Sequence, residues 1–226
     1  MGPIQRRDVL GMLIAGACAR RATAASTLRP AREAVDHVVI GVADLQRGIA
    51  QLERLTGVRP AFGGSHPGRG TRNALLSLGA RQYAELIAPD PAQGIRDQYD
   101  LPSFAEPRLL MWAASTAAID VLAAQLEARV EPGSRVRPDG RVLRWRSLAV
   151  GEPGLVPFFI QWDAESVHPS EDAPKGCELA AVGFEAPDPA VATRALAEVG
   201  IAADVELGAA ARVKVALQTP QGRVEL

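Results

Sequence analysis

Hydrophobic and polar positions alternate from Val35 onward and then change period. In VDHVVIGV, Val38, Ile40 and Val42 fall on one face of a strand and His37, Val39 and Gly41 on the other. From Asp44 the period becomes helical: Leu45, Ile49, Leu52 and Leu55 form one apolar stripe, Asp44 suits the N-cap and Gly57 the stop. Three strands are expected next, near Val58 to Gly63, Asn73 to Leu78 and Gln82 to Ala88, separated by GGSHPGRGTR and by GA.

The order then repeats. LLMWAAS reads as a strand, Ile119, Leu122 and Leu126 as one face of a helix, and RVLRWRSLAV and PFFIQWD as strands. It returns a third time. CELAAVGFEAPDP leads into a helix with Asp188-Pro189 at its start, Val191, Leu196 and Val199 inward and Gly200 at its end, followed by ADVELG, ARVKVAL and GRVEL as strands. The starts at 37, about 109 and 179 make a unit of roughly 70 residues, read as a βαβββ module. The expected layout is residues 35–165 as a domain of two modules, 166–176 as a linker, and 177–226 as a third, shorter module.

Composition narrows the class without naming a reaction. The chain has 226 residues, 47% of them apolar, and a formal charge of −1, enough to bury a full core. No basic stripe points to nucleic acid, and no apolar run reaches the roughly 20 residues needed to span a bilayer. Residues 1–24 read as an export signal: Arg6-Arg7, an apolar core from Val9 to Ala17, and the small-residue site Ala22-Thr23-Ala24. The arginine pair resembles a twin-arginine signal and implies a periplasmic protein, with 25–34 as a linker. The competing reading takes Cys18 as a lipid-anchored residue. Removal of the segment takes Cys18 with it, leaving Cys177 alone, so neither a disulfide nor a paired-cysteine zinc site is expected.

DHVVIGVADLQRGIAQLERLTGV, HPGRGTRNALLSLG, YAELIAPDP and VPFFIQWD together resemble the glyoxalase-like branch of the vicinal oxygen chelate superfamily. The resemblance covers almost everything after residue 34. It implies an α+β fold in which βαβββ modules form a cupped mixed sheet with helices on the outer face. It also implies a divalent ion (Mn, Fe, Ni or Zn) in the cup, held by first- and fourth-strand residues of two modules. In the first module these positions are His37 and Glu85, with Glu85 also the catalytic candidate. The second module departs from the pattern, offering Leu109 and Leu110 on its first strand and Gln161, a weak neutral donor, on its fourth.

Other candidates stand beside these. His66, Arg69 and Arg72 lie in a glycine-rich loop where paired guanidiniums suit an anionic substrate group. His168, in a segment that reads as linker, and Glu225, near the chain's end, are further candidate ligands. Trp112, Trp145 and Trp162 read as packing anchors. Two functions follow: a metal-dependent lyase, isomerase or oxygenase acting on a small oxygenated molecule, or a non-catalytic binding protein that has lost part of the metal site. A small-molecule partner is expected in either case, with a homodimer open as the assembly.

Overall fold

The computed structural model describes residues 28–151 and 154–226, so the export segment read at 1–24, with Cys18, lies outside the described residues. The first module contains β1 (Val35–Gly41), α1 (Leu45–Thr56), β2 (Ala61–His66), β3 (Thr71–Ser77) and β4 (Tyr83–Pro89). The second contains β5 (Arg108–Ser115), α2 (Ile119–Leu126), β6 (Val130–Val136), β7 (Val142–Leu148) and β8 (Phe158–Trp162). The fold is α+β, and these eight strands close into a mixed barrel in the order β1-β4-β3-β2-β6-β7-β8-β5.

The seam of this barrel rests on one residue pair, Ser65 opposite Val136. Gly64 permits it: a Cβ there would lie 1.9 Å from the Val136 carbonyl oxygen, and the residue has φ +135. β6 was not among the strands expected from sequence, and its Pro132 and Gly133 are residue types that usually punctuate strands. Its pairing with β7 is nevertheless regular from Val130–Leu148 to Val136–Val142. Gly133 is required there, since a Cβ would meet the Trp145 indole at 2.3 Å.

Alternation along the strands assigns the two barrel faces. Val38, Ile40, Leu76, Leu86, Trp112 and Phe159 point outward and form the main core with the helices. α1 is held at its ends by Asp44, which accepts from the Arg47 amide at 2.7 Å, and by Gly57 at φ +76. Leu45, Ile49 and Leu52 are buried, each contributing roughly 1.5–3 kcal/mol over exposure. Leu55, expected on the same stripe, is exposed: ten residues beyond Leu45 it has rotated about 80° off the buried face. Thr56 takes the inward place and bonds the Leu52 carbonyl at 2.7 Å.

The third unit contributes to that outer core and stays out of the barrel. β9 (Glu178–Ala186), α3 (Pro189–Glu198), β10 (Val205–Leu207), β11 (Arg212–Thr219) and β12 (Gly222–Glu225) form a separate four-stranded sheet ordered β10-β9-β11-β12. Phe184 lies 5.7 Å from Trp112 between ring centroids, and the Leu179 amide donates to the Leu78 carbonyl at 3.0 Å. In α3, Ala192, Leu196 and the adjoining Val199 are buried, while Val191 is exposed on the opposite side. No helix among the described residues is long and apolar enough to cross a membrane.

Candidate functional site

With the large side chains turned to the outer wall, the barrel interior holds a cavity of about 750 Å³. Val39, Ile87, Met111, Phe158 and Ile160 give it apolar walls, and Arg69, Arg96 and Arg129 stand exposed at its rim. Trp145 and Trp162, expected as packing anchors, line this cavity, whereas Trp112 is fully buried in the outer core.

One wall carries a polar cluster. Glu85 on β4 projects between His37 of β1 and His66 of β2, with His37 Nε2 3.7 Å from Oε2 and His66 Nε2 3.4 Å from Oε1. Asn73 of β3 donates to Glu85 Oε1 at 2.6 Å. Burial by itself would raise the Glu85 pKa, but His66, His37, the Asn73 amide and Arg135 outweigh it and hold the carboxyl below its ordinary range. His66 is shifted down, first by burial and then by Arg135 and Arg69, against the pull of Glu85. Its Nδ1 meets Thr71 Oγ1 at 3.0 Å, leaving Nε2 toward Glu85 and Asn73.

His37 is fixed from behind by a residue that the strand pattern concealed. Val35 and His37 pair with the consecutive Ala114 and Ala113, so Asp36 is the extra residue of a β-bulge. Its fully buried carboxylate lies 2.8 Å from His37 Nδ1 and accepts from Trp162 Nε1 at 3.1 Å. His168 completes the set, with Nε2 3.2 Å from Asp36 Oδ2. The Ser170 amide donates to His168 Nδ1 at 3.3 Å, which places the His168 proton on Nε2, facing Asp36. Burial opposes the Asp36 charge, yet the bonds from His168 and His37 lower its pKa to about 2. Tyr83 stacks on His37 at 4.6 Å, and its phenol is pushed well above its usual range by burial and then by Glu85 and Asp36.

The structure therefore brings together His37, Glu85 and His66, with Arg69 at the rim of the same cavity. His168 acts behind this cluster through Asp36 and does not line the cavity. Three candidates fall elsewhere. Arg72 belongs to β3, not a loop, and alternates away from Thr71 and Asn73 onto the outer side near Asp90. Gln161 faces α2, where its Oε1 accepts from the Ile119 amide at 3.0 Å, because Phe158, Ile160 and Trp162 take the inward positions of β8. Glu225 is exposed on the edge strand β12 of the separate sheet. The second module thus presents Met111, Phe158 and Ile160 to the cavity where the first presents His37 and Glu85.

The donor chemistry bears on the ion that the family resemblance implies. Among the described residues no three His, Cys, Asp or Glu side chains form a gathered metal cluster. The cavity presents two adjoining imidazole–carboxylate pairs that share Glu85. Each imidazole has Nδ1 engaged and Nε2 facing the carboxylate, so the donors an ion would meet here are two imidazole nitrogens and one carboxylate.

The fold has a counterpart among solved structures. A hypothetical protein from Staphylococcus aureus superposes with a TM-score of 0.60 at 15% identity, over 79% of this chain and 87% of its own. Methylmalonyl-CoA epimerase from Mycobacterium tuberculosis gives a TM-score of 0.41 at 20% identity, over 62% of this chain and 91% of its own. No curated protein matches the chain in sequence. The family model of the glyoxalase-like domain matches residues 35–200. From the strand that opens at Val35 through α3, this chain belongs to the glyoxalase-like domain family.

Proposed function

We propose that the protein is an enzyme that holds a small oxygenated molecule in the barrel cavity and moves a proton at a carbon beside one of its oxygens, a lyase or isomerase type of reaction. The observation that carries this reading is Glu85, a buried carboxylate kept ionised in the cavity wall by two imidazoles and an amide donor. Its Oε2, which Asn73 leaves free, is the atom placed to take the proton. A carboxylate held below its ordinary range is a weak base, so the substrate proton must be made acidic by polarising the neighbouring oxygen. A divalent ion, when bound, supplies that polarisation as a Lewis acid. The residues that would hold it are His37 and His66 through Nε2, with Glu85 adjoining. Asp36 and Thr71 keep those two nitrogens directed inward, and Tyr83 and Phe158 exclude water around His37.

A second reading, a binding protein without turnover, draws on Met111, Phe158 and Ile160, which offer no donor from the second module. Titration of Zn, Ni, Mn and Fe into chelator-free wild type, His37→Ala and His66→Ala, followed by calorimetry, tests the ion arm. Wild type should bind one equivalent, and each variant should bind at least about 10-fold more weakly. Equal binding by all three proteins removes the ion from the reading.

A further inference from the structure

Among the described residues, Arg135 is the one buried cation in the cavity wall that the proposed reaction does not use. It lies on β6 with 3% of its surface exposed and lines the cavity. A guanidinium has five N–H donors. Among the described residues its side chain makes one hydrogen bond, from Nη1 to Asn73 Oδ1 at 3.3 Å, and its buried Nε has no partner. Its charge faces that of Glu85 across the Asn73 amide, which donates to Glu85 from its other end. The fold makes room for this pairing: a Cβ at Gly63 would come within 2.7 Å of Arg135 Nη1 and 2.4 Å of Asn73 Oδ1. A buried guanidinium left with unfilled donors is costly unless a ligand fills them.

We propose that Arg135 is the recognition site for a carboxylate on the substrate, held by paired N–H donors one amide away from Glu85. This rests on the proposed reaction at Glu85 and names the substrate class for it: a small carboxylic acid with a second oxygen near the carboxylate. The planar fork of guanidinium matches a carboxylate or a phosphate in two-point fashion. The carboxylate is favoured because a single buried guanidinium stands in the wall, and the other arginines at the cavity, Arg69, Arg96 and Arg129, are solvent-exposed at the rim. The separation from Glu85 by one side chain places the reacting carbon close to the acid group.

The test uses pyruvate, its neutral methyl ester and inorganic phosphate as probes, with binding read by calorimetry at low ionic strength. Wild type should bind pyruvate more tightly than either the ester or phosphate. Arg135→Gln should weaken pyruvate on the order of 30-fold, the loss of a charged hydrogen-bonded partner, and leave the ester unchanged. Arg135→Lys should restore part of the affinity. Equal pyruvate binding by wild type and Arg135→Gln, or tighter binding of phosphate than pyruvate, overturns the proposal. If Arg135→Gln does not fold, the comparison of pyruvate with its ester on wild type, together with Arg135→Lys, decides. Divalent-ion binding in Arg135→Lys separates this proposal from the reaction: carboxylate recognition stands on its own if the ion titration fails, and falls on its own if only pyruvate binding fails.

Discussion

Asp36→Asn is the substitution whose consequence the structure determines most closely. The carboxylate is fully buried and meets His37, His168 and Trp162. Its pKa lies at about 2 in the fold against 3.8 outside it, which makes the charged form worth about 2 kcal/mol to the folded state. Asparagine keeps the shape and one acceptor oxygen but turns an amide N–H₂ toward the remaining donors. The loss of about two hydrogen bonds to a charged acceptor brings the expected cost to about 2–4 kcal/mol at pH 7. The sign with pH follows from the lowered pKa. The Asp36 contribution is fully present above pH 3.8 and is lost as pH falls toward 2, with about 1 kcal/mol gone by pH 3. Urea denaturation followed by tryptophan fluorescence at pH 7, 5 and 3 measures both effects, since Trp162 bonds Asp36 directly. A difference below about 0.5 kcal/mol at pH 7, or one that stays constant down to pH 3, would refute the assignment.

His66 gives a second acid-sensitive contribution at higher pH. Its folded pKa is depressed, so the unfolded chain takes up the proton first and stability falls as pH drops below about 6.5. His66→Asn should flatten the stability profile between pH 7 and 5, and an unchanged slope in denaturant titrations would show that His66 is not the group responsible. Export predicts a mature chain beginning at Ala25, after Ala22-Thr23-Ala24. N-terminal sequencing of periplasmic protein reads this directly, and a chain beginning at acylated Cys18 or retained intact in the cytoplasm would sink it.

The parts of the fold with strong local signals were legible in the sequence. β1 and α1 announced themselves by a change of period from two to 3.6, with Asp44 and Gly57 as punctuation, and their observed ends fall at Gly41 and Thr56. The site was only half legible, because what places Asp36, Asn73 and Arg135 is register. A bulge turns Asp36 toward His37 and leaves no mark in a run such as VDHVV. Arg135 sits in a strand disguised by Pro132 and Gly133, whose absence of a side chain serves Trp145. Register also relocates one candidate, since a shift of one residue moves a side chain to the other face: Gln161 lies outside and its neighbours Ile160 and Trp162 inside. Asn73 opened the strand expected near Asn73 to Leu78, but nothing local shows that its amide meets Glu85 across the sheet. Closure through Ser65 and Val136 depends on contacts between strands about 70 residues apart, which no local pattern encodes.

The central claim, that Glu85 moves a proton on a small oxygenated acid, is tested most directly by deuterium exchange. A panel of 2-oxo acids is incubated in D₂O with ion-loaded wild type or Glu85→Gln, and uptake of label at the carbon beside the carbonyl is read by mass spectrometry. Exchange with wild type should exceed that with Glu85→Gln on the order of 100-fold for at least one acid, the usual contribution of a positioned base. Equal exchange rates with the two proteins across acids that wild type binds would contradict the claim and leave the cavity as a binding site without chemistry.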